Sequence, residues 1–199
     1  MKNLDNLSEL LVQECINDPG VSAQLVGLEN PYKILKAQAL GEIEEFDKLN
    51  LVSTKGDNIG LIIGDYSDIL EKPEFAEALR NSSKYILEVA TKDEIDLMQK
   101  HIMDVIEISQ YDWYKKYVNN SFVYILQLIV IKKEFRGIGI FREMIDTIIQ
   151  HCDKNNIPIA LQTHNINNIP KYEHFGFKVM ESIKSDKIDL TCYNMLRKK

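Results

Sequence analysis

Residues 124–141 run YILQLIVIKKEFRGIGIF, from Tyr124 to Phe141, and the order of chemistry along them decides the fold. Tyr124 to Ile131 has almost no polar interruption, as expected of a strand covered on both faces. Lys132 to Gly139 is polar and carries two glycines. Beyond it Phe141, Met144, Ile145, Ile148, Ile149 and Cys152 recur at helical spacing, which predicts a packed amphipathic helix to about Asp153. Asn155-Asn156 breaks that helix, and Ile157 to Leu161 supplies another short strand. The result is a strand–loop–helix–strand unit whose crossover should be right-handed.

Working outward, a short helix is expected near Pro170 to Phe175, stopped by Gly176, and then strands over about Phe177 to Ser182 and Ile188 to Leu196. Toward the N-terminus, Leu7, Leu10, Leu11 and Glu14-Cys15 repeat at helical spacing, with Asp18-Pro19-Gly20 as the stop. A second helix covers Tyr32 to Phe46. Leu49 to Thr54 and Ile59 to Gly64 read as a hairpin around the turn Lys55-Gly56-Asp57-Asn58. Pro73 to Asn120 reads as mostly helical, with Ile95, Met98, Ile102, Val105 and Ile106 on one face. The class is mixed α/β (α+β), with antiparallel hairpins at both ends.

At 199 residues the chain is expected to form a single domain over 1–199. Hydrophobic residues make up 45%, enough for a core, which excludes wholesale disorder. Lys and Arg total 24 against 30 Asp and Glu, a net charge of −6. That sign argues against nucleic acid and anionic membrane as partners, since both require cationic surface. No apolar leader opens the chain, and no apolar run approaches the ~20 residues of a membrane span. Cys15, Cys152 and Cys192 are isolated and odd in number, as befits thiols in a reducing compartment, so a cytoplasmic location is expected. His101, His151 and His174 show no metal-ligand spacing, and no metal is expected.

A buried strand feeding a glycine turn that opens a helix is a ready anion site, because the first-turn N–H groups lack partners and lie at the positive end of the helix dipole. The pattern GxxxxGK[ST] is absent, and GxGxxG fails because Ile140, Phe141 and Arg142 follow Gly137-Ile138-Gly139. On these residues alone the segment is either a site for a phosphorylated cofactor or simply a tight strand-to-helix turn.

Glu134-Phe135-Arg136-Gly137 with Arg136-x-x-Gly139 resembles the acetyl-CoA loop of the GCN5-related N-acetyltransferases (GNAT), which reads Gln/Arg-x-x-Gly-x-Gly/Ala. A second stretch, Asn168 to Phe177 (NIPKYEHFGF), is similar to the family's late motif and sits one helix, one strand and one loop downstream. The helical N-terminal half followed by a hairpin and more helix is similar to the puromycin-acetyltransferase-like branch. The chain departs from the pattern at Phe141, where the loop's last Gly/Ala stands, and at Lys133, often proline. Phe141 either crowds a pyrophosphate or points into the core. The family's usual first strand has little room before the Leu7 helix.

The resemblance implies a GNAT fold, a mixed central sheet with helices on both faces, and acetyl transfer from the cosubstrate acetyl-CoA to an amine. It implies that the backbone around Ile129, Val130 and Ile131 pairs with the pantetheine arm. The N–H groups of Arg136, Gly137, Ile138, Gly139, Ile140 and Phe141 hold the pyrophosphate, Arg136 adds a charge, and Asn168 bonds the amide arm. Tyr172 is the implied general acid. The alternative is a non-catalytic acyl-CoA-binding or interaction domain. The acceptor stays open among polyamine, antibiotic, amino acid and protein amine.

An amine acceptor must lose a proton before attack, which calls for a base. Gln162 stands where some relatives carry glutamate; Glu88, Glu107 and His164 are further candidates. The group Tyr111, Trp113, Tyr114, Tyr117 and Phe122 reads first as core packing and second as a pocket for a cation. Lys132, Lys133, Arg136 and Arg142 gather around one helix start, so the acidic excess lies elsewhere.

Overall fold

The computed structural model describes residues 2–119 and 122–199. Helix α1 (Leu4–Cys15) starts at Asn3, whose side chain accepts the Asn6 N–H at 3.1 Å, and buries Leu7, Leu10 and Leu11. Asp18-Pro19-Gly20, read from sequence as a stop, begins a new helix. Asp18 accepts the Gly20 N–H at 3.1 Å and Pro19 takes the first position of α2 (Pro19–Gln24), where its missing N–H costs nothing. Helix α3 (Pro31–Lys48) follows, then the expected hairpin of β1 (Val52–Lys55) and β2 (Gly60–Tyr66).

The next segment is helical, as its periodicity predicts: α4 (Pro73–Ser82), α5 (Lys84–Val89) and α6 (Lys92–Ile106). Thr91 and Glu94 form a reciprocal capping box at the start of α6. Met98 and Val105 are buried as expected, but Ile106 is exposed. Adjacent residues lie about 100° apart around a helix, so both cannot centre on one face. Trp113 and Tyr114 are core residues packed with Val123, Ala160 and Leu196. Phe122 stacks on Tyr66 at 4.6 Å between ring centroids, and Tyr111 is exposed.

The second half contains β3 (Tyr124–Ile131), α7 (Ile140–Asn155), β4 (Ile159–Thr163), α8 (Ile169–Glu173), β5 (Lys178–Lys184) and β6 (Thr191–Arg197). The six strands form one sheet in the order β1-β2-β3-β4-β6-β5. Only β3 and β4 pair in parallel. One face carries α1, α3, α4 and α6, with Leu7, Ile34 and Ile43 packed near Leu61, Ile63 and Val130. The other face carries α7 and α8, with Ile145, Ile149 and Cys152 against Leu126, Ile159, Leu161 and Met195. Helices thus cover both faces, as the resemblance implies.

One irregularity shapes the rest. Ile63 of β2 faces Leu128 while Gly64 faces Leu126, so Gln127 is an extra residue, a β-bulge. Side chains on either side of it change faces out of turn: Leu126 joins the α7 core, whereas Leu128 and Val130 pack toward α1 and α3. From this point β3 also leaves β4, since their pairing covers only Tyr124, Ile125 and Leu126. The strand is therefore not covered on both faces throughout; only Leu126, Val130 and Ile131 of β3 are buried.

Gly41 lets α3 approach the end of α4 closely, because a Cβ there would stand 1.9 Å from the Ser82 carbonyl oxygen. Gly41→Ala is expected to lower unfolding stability by about 2–3 kcal/mol, overpacking outweighing the ~1 kcal/mol gain in helix propensity. Urea unfolding checks this; an unchanged midpoint would show that α4 can move aside.

Candidate active site

The open edge of β3 forms the floor of a cleft of about 660 Å³. Its walls are the 136–142 loop and helix start, the end of α1 and the α8 segment. Ile129, Val130, Ile131, Arg136, Gly137, Gly139, Phe141, Asn168 and Tyr172 all line it. Of the expected residues, Ile138 and Ile140 do not; the Ile138 side chain is exposed on the outside of the loop.

The ladder shows which backbone groups face the cleft. Lys132 donates its N–H to the Ile59 carbonyl at 2.9 Å, and hydrogen-bonded residues alternate along an antiparallel pair. Leu128 and Val130 therefore turn their backbone groups to β2, while Ile129 and Ile131 turn theirs into the cleft. Arg136 agrees with this direction, since its Nε donates to the Ile131 carbonyl at 2.9 Å.

Gly137 and Gly139 adopt φ of 80° and 93°, backbone that side chains rarely take, although a Cβ on either would meet nothing within 4 Å. Conformation, not crowding, demands glycine here. Gly139 caps α7 without a side chain, and Glu143 is the first residue whose N–H finds a helical acceptor, Gly139 O at 2.9 Å. The N–H groups of Ile140, Phe141 and Arg142 precede the helical ladder and lie at its positive end.

Three cations border the cleft. Arg136 pairs with Glu14, whose other oxygen accepts the Lys133 N–H at 2.8 Å, so the end of α1 clamps the loop. Arg142 lies 5.2 Å from the Phe175 ring centroid and hydrogen-bonds His174. Lys171 donates to Asn168 Oδ1 at 2.9 Å, and Asn168 Nδ2 to Thr163 Oγ1 at 3.4 Å. Phe141 packs beside Phe175 and Tyr172, at 5.3 and 6.2 Å between centroids, and is half-buried. It belongs mainly to the core and shows one side to the cleft.

Tyr172 is half-buried, edge-on to Phe177 at 5.9 Å. Burial first, then the nearby Asp18 and Cys15, raises its pKa well above the ordinary phenol value, so it stays protonated at neutral pH. Glu14, Cys15, Asn17 and Asp18 line the cleft but were not singled out from the sequence. No local signal marks them, because chain crossing brings α1 to a loop 119 residues away.

None of the expected bases lines this cleft. Glu88 is exposed, and Glu107 pairs with Lys187. Gln162 donates to Asn194 Oδ1 at 2.7 Å. His164 is half-buried, not on an exposed loop; it shares a 2.8 Å hydrogen bond with Ser109, and burial lowers its pKa. Among the described residues no group of three or more His, Cys, Asp or Glu could hold a metal ion. Nor is any helix among them long and apolar enough to cross a membrane.

The turn behind Tyr172 is tied down from β6. Arg197 donates from Nε to the Phe175 carbonyl at 2.8 Å and forms a two-pronged pair with Asp153 at the end of α7. That pairing lowers the Asp153 pKa, so its stabilisation is present above the unfolded value near 3.9 and is lost as pH falls through the folded value. Arg197→Met is expected to cost about 1–3 kcal/mol at pH 7, with the difference from wild type shrinking below about pH 3. Thermal melts across that range check it; a difference independent of pH would sink the ion-pair account.

A model of the acetyltransferase (GNAT) domain family matches residues 73–196. An uncharacterized N-acetyltransferase of Schizosaccharomyces pombe is 36% identical over 77 residues, 39% of this chain. The chain aligns with 27% of that relative's length. A solved structure described as histone acetyltransferase HPA2 and related acetyltransferase, from Corynebacterium glutamicum, matches with a TM-score of 0.59 at 14% identity, over 100% of this chain and 93% of that one. The polyamine N-acetyltransferase of Drosophila melanogaster, which forms N-acetylagmatine, matches with a TM-score of 0.59 at 9% identity, over 98% and 95%. At these identities the structural likeness is one of fold.

Proposed function

As the chain belongs to the GNAT acetyltransferase family, we propose that it transfers an acetyl group from acetyl-CoA to a primary amine of a small molecule or protein. One observation carries this reading: the unpaired edge of β3 beyond Leu126 runs into a glycine-capped helix start, with Tyr172 in the same cleft. The residues fit the cosubstrate. A Cβ at Gly137 or Gly139 would meet open space, first-turn N–H groups point to an anion, and Arg142 and Lys171 border the cleft.

Backbone groups of Ile129 and Ile131 would bind the amide arm, with Asn168 beside them. The Arg136–Phe141 amides would bind the pyrophosphate, with Arg142 and Lys171 as the cations at the cleft and Arg136 holding the loop through Glu14. Bound acetyl-CoA supplies the thioester carbon as electrophile. Gln127, without a partner in the β2 ladder, offers a backbone donor for developing charge on the carbonyl oxygen. Tyr172 holds a proton at its phenol oxygen for the departing sulfur. Burial penalises a phenolate and a thiolate alike, so both partners of that transfer shift together.

The test is thiol release from acetyl-CoA across a panel of primary amines, expected to depend on the amine. Acetyl-CoA binding with no transfer to any amine would favour a binding domain. If neither acetyl-CoA nor CoA raises the melting temperature, the reading fails outright.

A further inference from the structure

A second cavity, of about 220 Å³, lies on the α1–α3 side of β3. Gln127 and Leu128 form one wall, Leu25 and Phe46 are among its apolar residues, and Glu42 of α3 is its sole acidic lining residue. No Lys, Arg or His lines it. Cys15 lines both this cavity and the larger cleft, so the two spaces adjoin across one side chain, beside the bulge where β3 leaves β4.

Glu42 accepts one hydrogen bond, from Gln38 Nε2 at 2.9 Å. It stands four residues before Phe46 and one after Gly41, on a helix fixed by the close Gly41–Ser82 approach. A carboxylate with no cation beside it, in a recess otherwise lined by apolar side chains, Cys15 and three neutral glutamines, is set up to bind a cation and take a proton. Desolvation raises its pKa, only partly opposed by Gln38, which moves it toward the range of a useful base. The other titratable groups facing this region are the Cys15 thiol, which burial pushes up to about 12, and Tyr111. The Tyr111 side chain is largely exposed, but desolvation at its phenol end and then the charge of Glu42 raise its pKa, so neither neighbour is charged near neutrality.

We propose that this second cavity receives the acceptor, a small primary alkylamine, and that Glu42 takes a proton from its ammonium group. The inference rests on the acetyltransferase reading and adds to it the acceptor site and the base. Its volume falls below the ~300–1,000 Å³ of drug-sized sites, which favours a short acceptor or the tip of a longer one. In the transfer, the ammonium nitrogen loses two protons. One passes through Glu42 to solvent. The nitrogen–carbon bond then forms as the carbon–sulfur bond breaks. The sulfur takes the Tyr172 proton, which the second nitrogen proton replaces, leaving amide, free thiol and one released proton.

Two measurements test this. First, n-butylamine without acetyl-CoA should raise the melting temperature of wild type more than 1-butanol does, and Glu42→Gln should abolish that difference. Second, Glu42→Gln should lower kcat/KM for n-butylamine about 10²-fold at pH 7, with the loss shrinking toward pH 10 as the amine deprotonates unaided, and Glu42→Asp should recover part of it. Acetyl-CoA should stabilise the Gln variant as it does wild type, which separates a lost base from a lost fold. Equal amine stabilisation of both proteins, or an unchanged rate and pH profile, overturns the proposal. Failure of wild type to acetylate any amine would remove the transfer reading, while the binding comparison still decides whether Glu42 holds an amine.

Discussion

Tyr172→Phe is expected to lower kcat about 10³-fold while leaving acetyl-CoA affinity near that of wild type. The ring is held by Phe141 and Phe177, and Phe keeps those contacts, so only the hydroxyl is removed. General acid catalysis is worth ~10²–10⁴-fold, and the amide product cannot form until the sulfur leaves. Because the phenol pKa is raised, Tyr172 should impose no alkaline limb below about pH 10. Steady-state kinetics with thiol detection decide the matter. Undiminished turnover would remove Tyr172 from the acid role, and a matched loss in acetyl-CoA binding would make it a packing residue.

Gly139→Val should weaken acetyl-CoA binding by about 10³-fold. At φ 93° a β-branched residue is strained, so the helix start must reset and carry its free amides with it. Losing two charge-assisted hydrogen bonds at ~1.5–3 kcal/mol each accounts for a change of that order. Calorimetric titration gives the affinity, and far-UV circular dichroism checks that the fold survives. Since no atom lies within 4 Å of the missing Cβ, wild-type binding in the variant would mean the loop conformation is not what the anion requires.

Much of the fold was legible because it is local. The apolar run Tyr124–Ile131, the helical spacing from Phe141 to Cys152 and the Asn155-Asn156 break each announce one element, and each appears within a few residues of its expected place. The first helix does end ahead of Asp18-Pro19-Gly20, at Cys15, but α2 was missed because a capping residue followed by proline serves both to end one helix and to start another. The cleft residues carried by the strand and loop were likewise readable, since chain order alone joins them. Glu14, Asp18 and Glu42 were not, because their relation to β3 is set by how α1 and α3 cross the sheet. Composition holds no trace of a crossing. The expected charge division is partly realised: of Lys132, Lys133, Arg136 and Arg142 only the two arginines line the cleft, and Arg136 is taken up by Glu14.

The surplus residue at position 127 has a consequence for how this cleft can change. On either side of it, the alternation of inward and outward side chains is that of an ordinary strand, and excising the surplus would leave both patterns in phase. The divergence of β3 from β4 is thus recorded as chain length, one unit too many, and not as the identity of any side chain. Substitution can alter what the cleft holds. Only a change in the number of residues can close it.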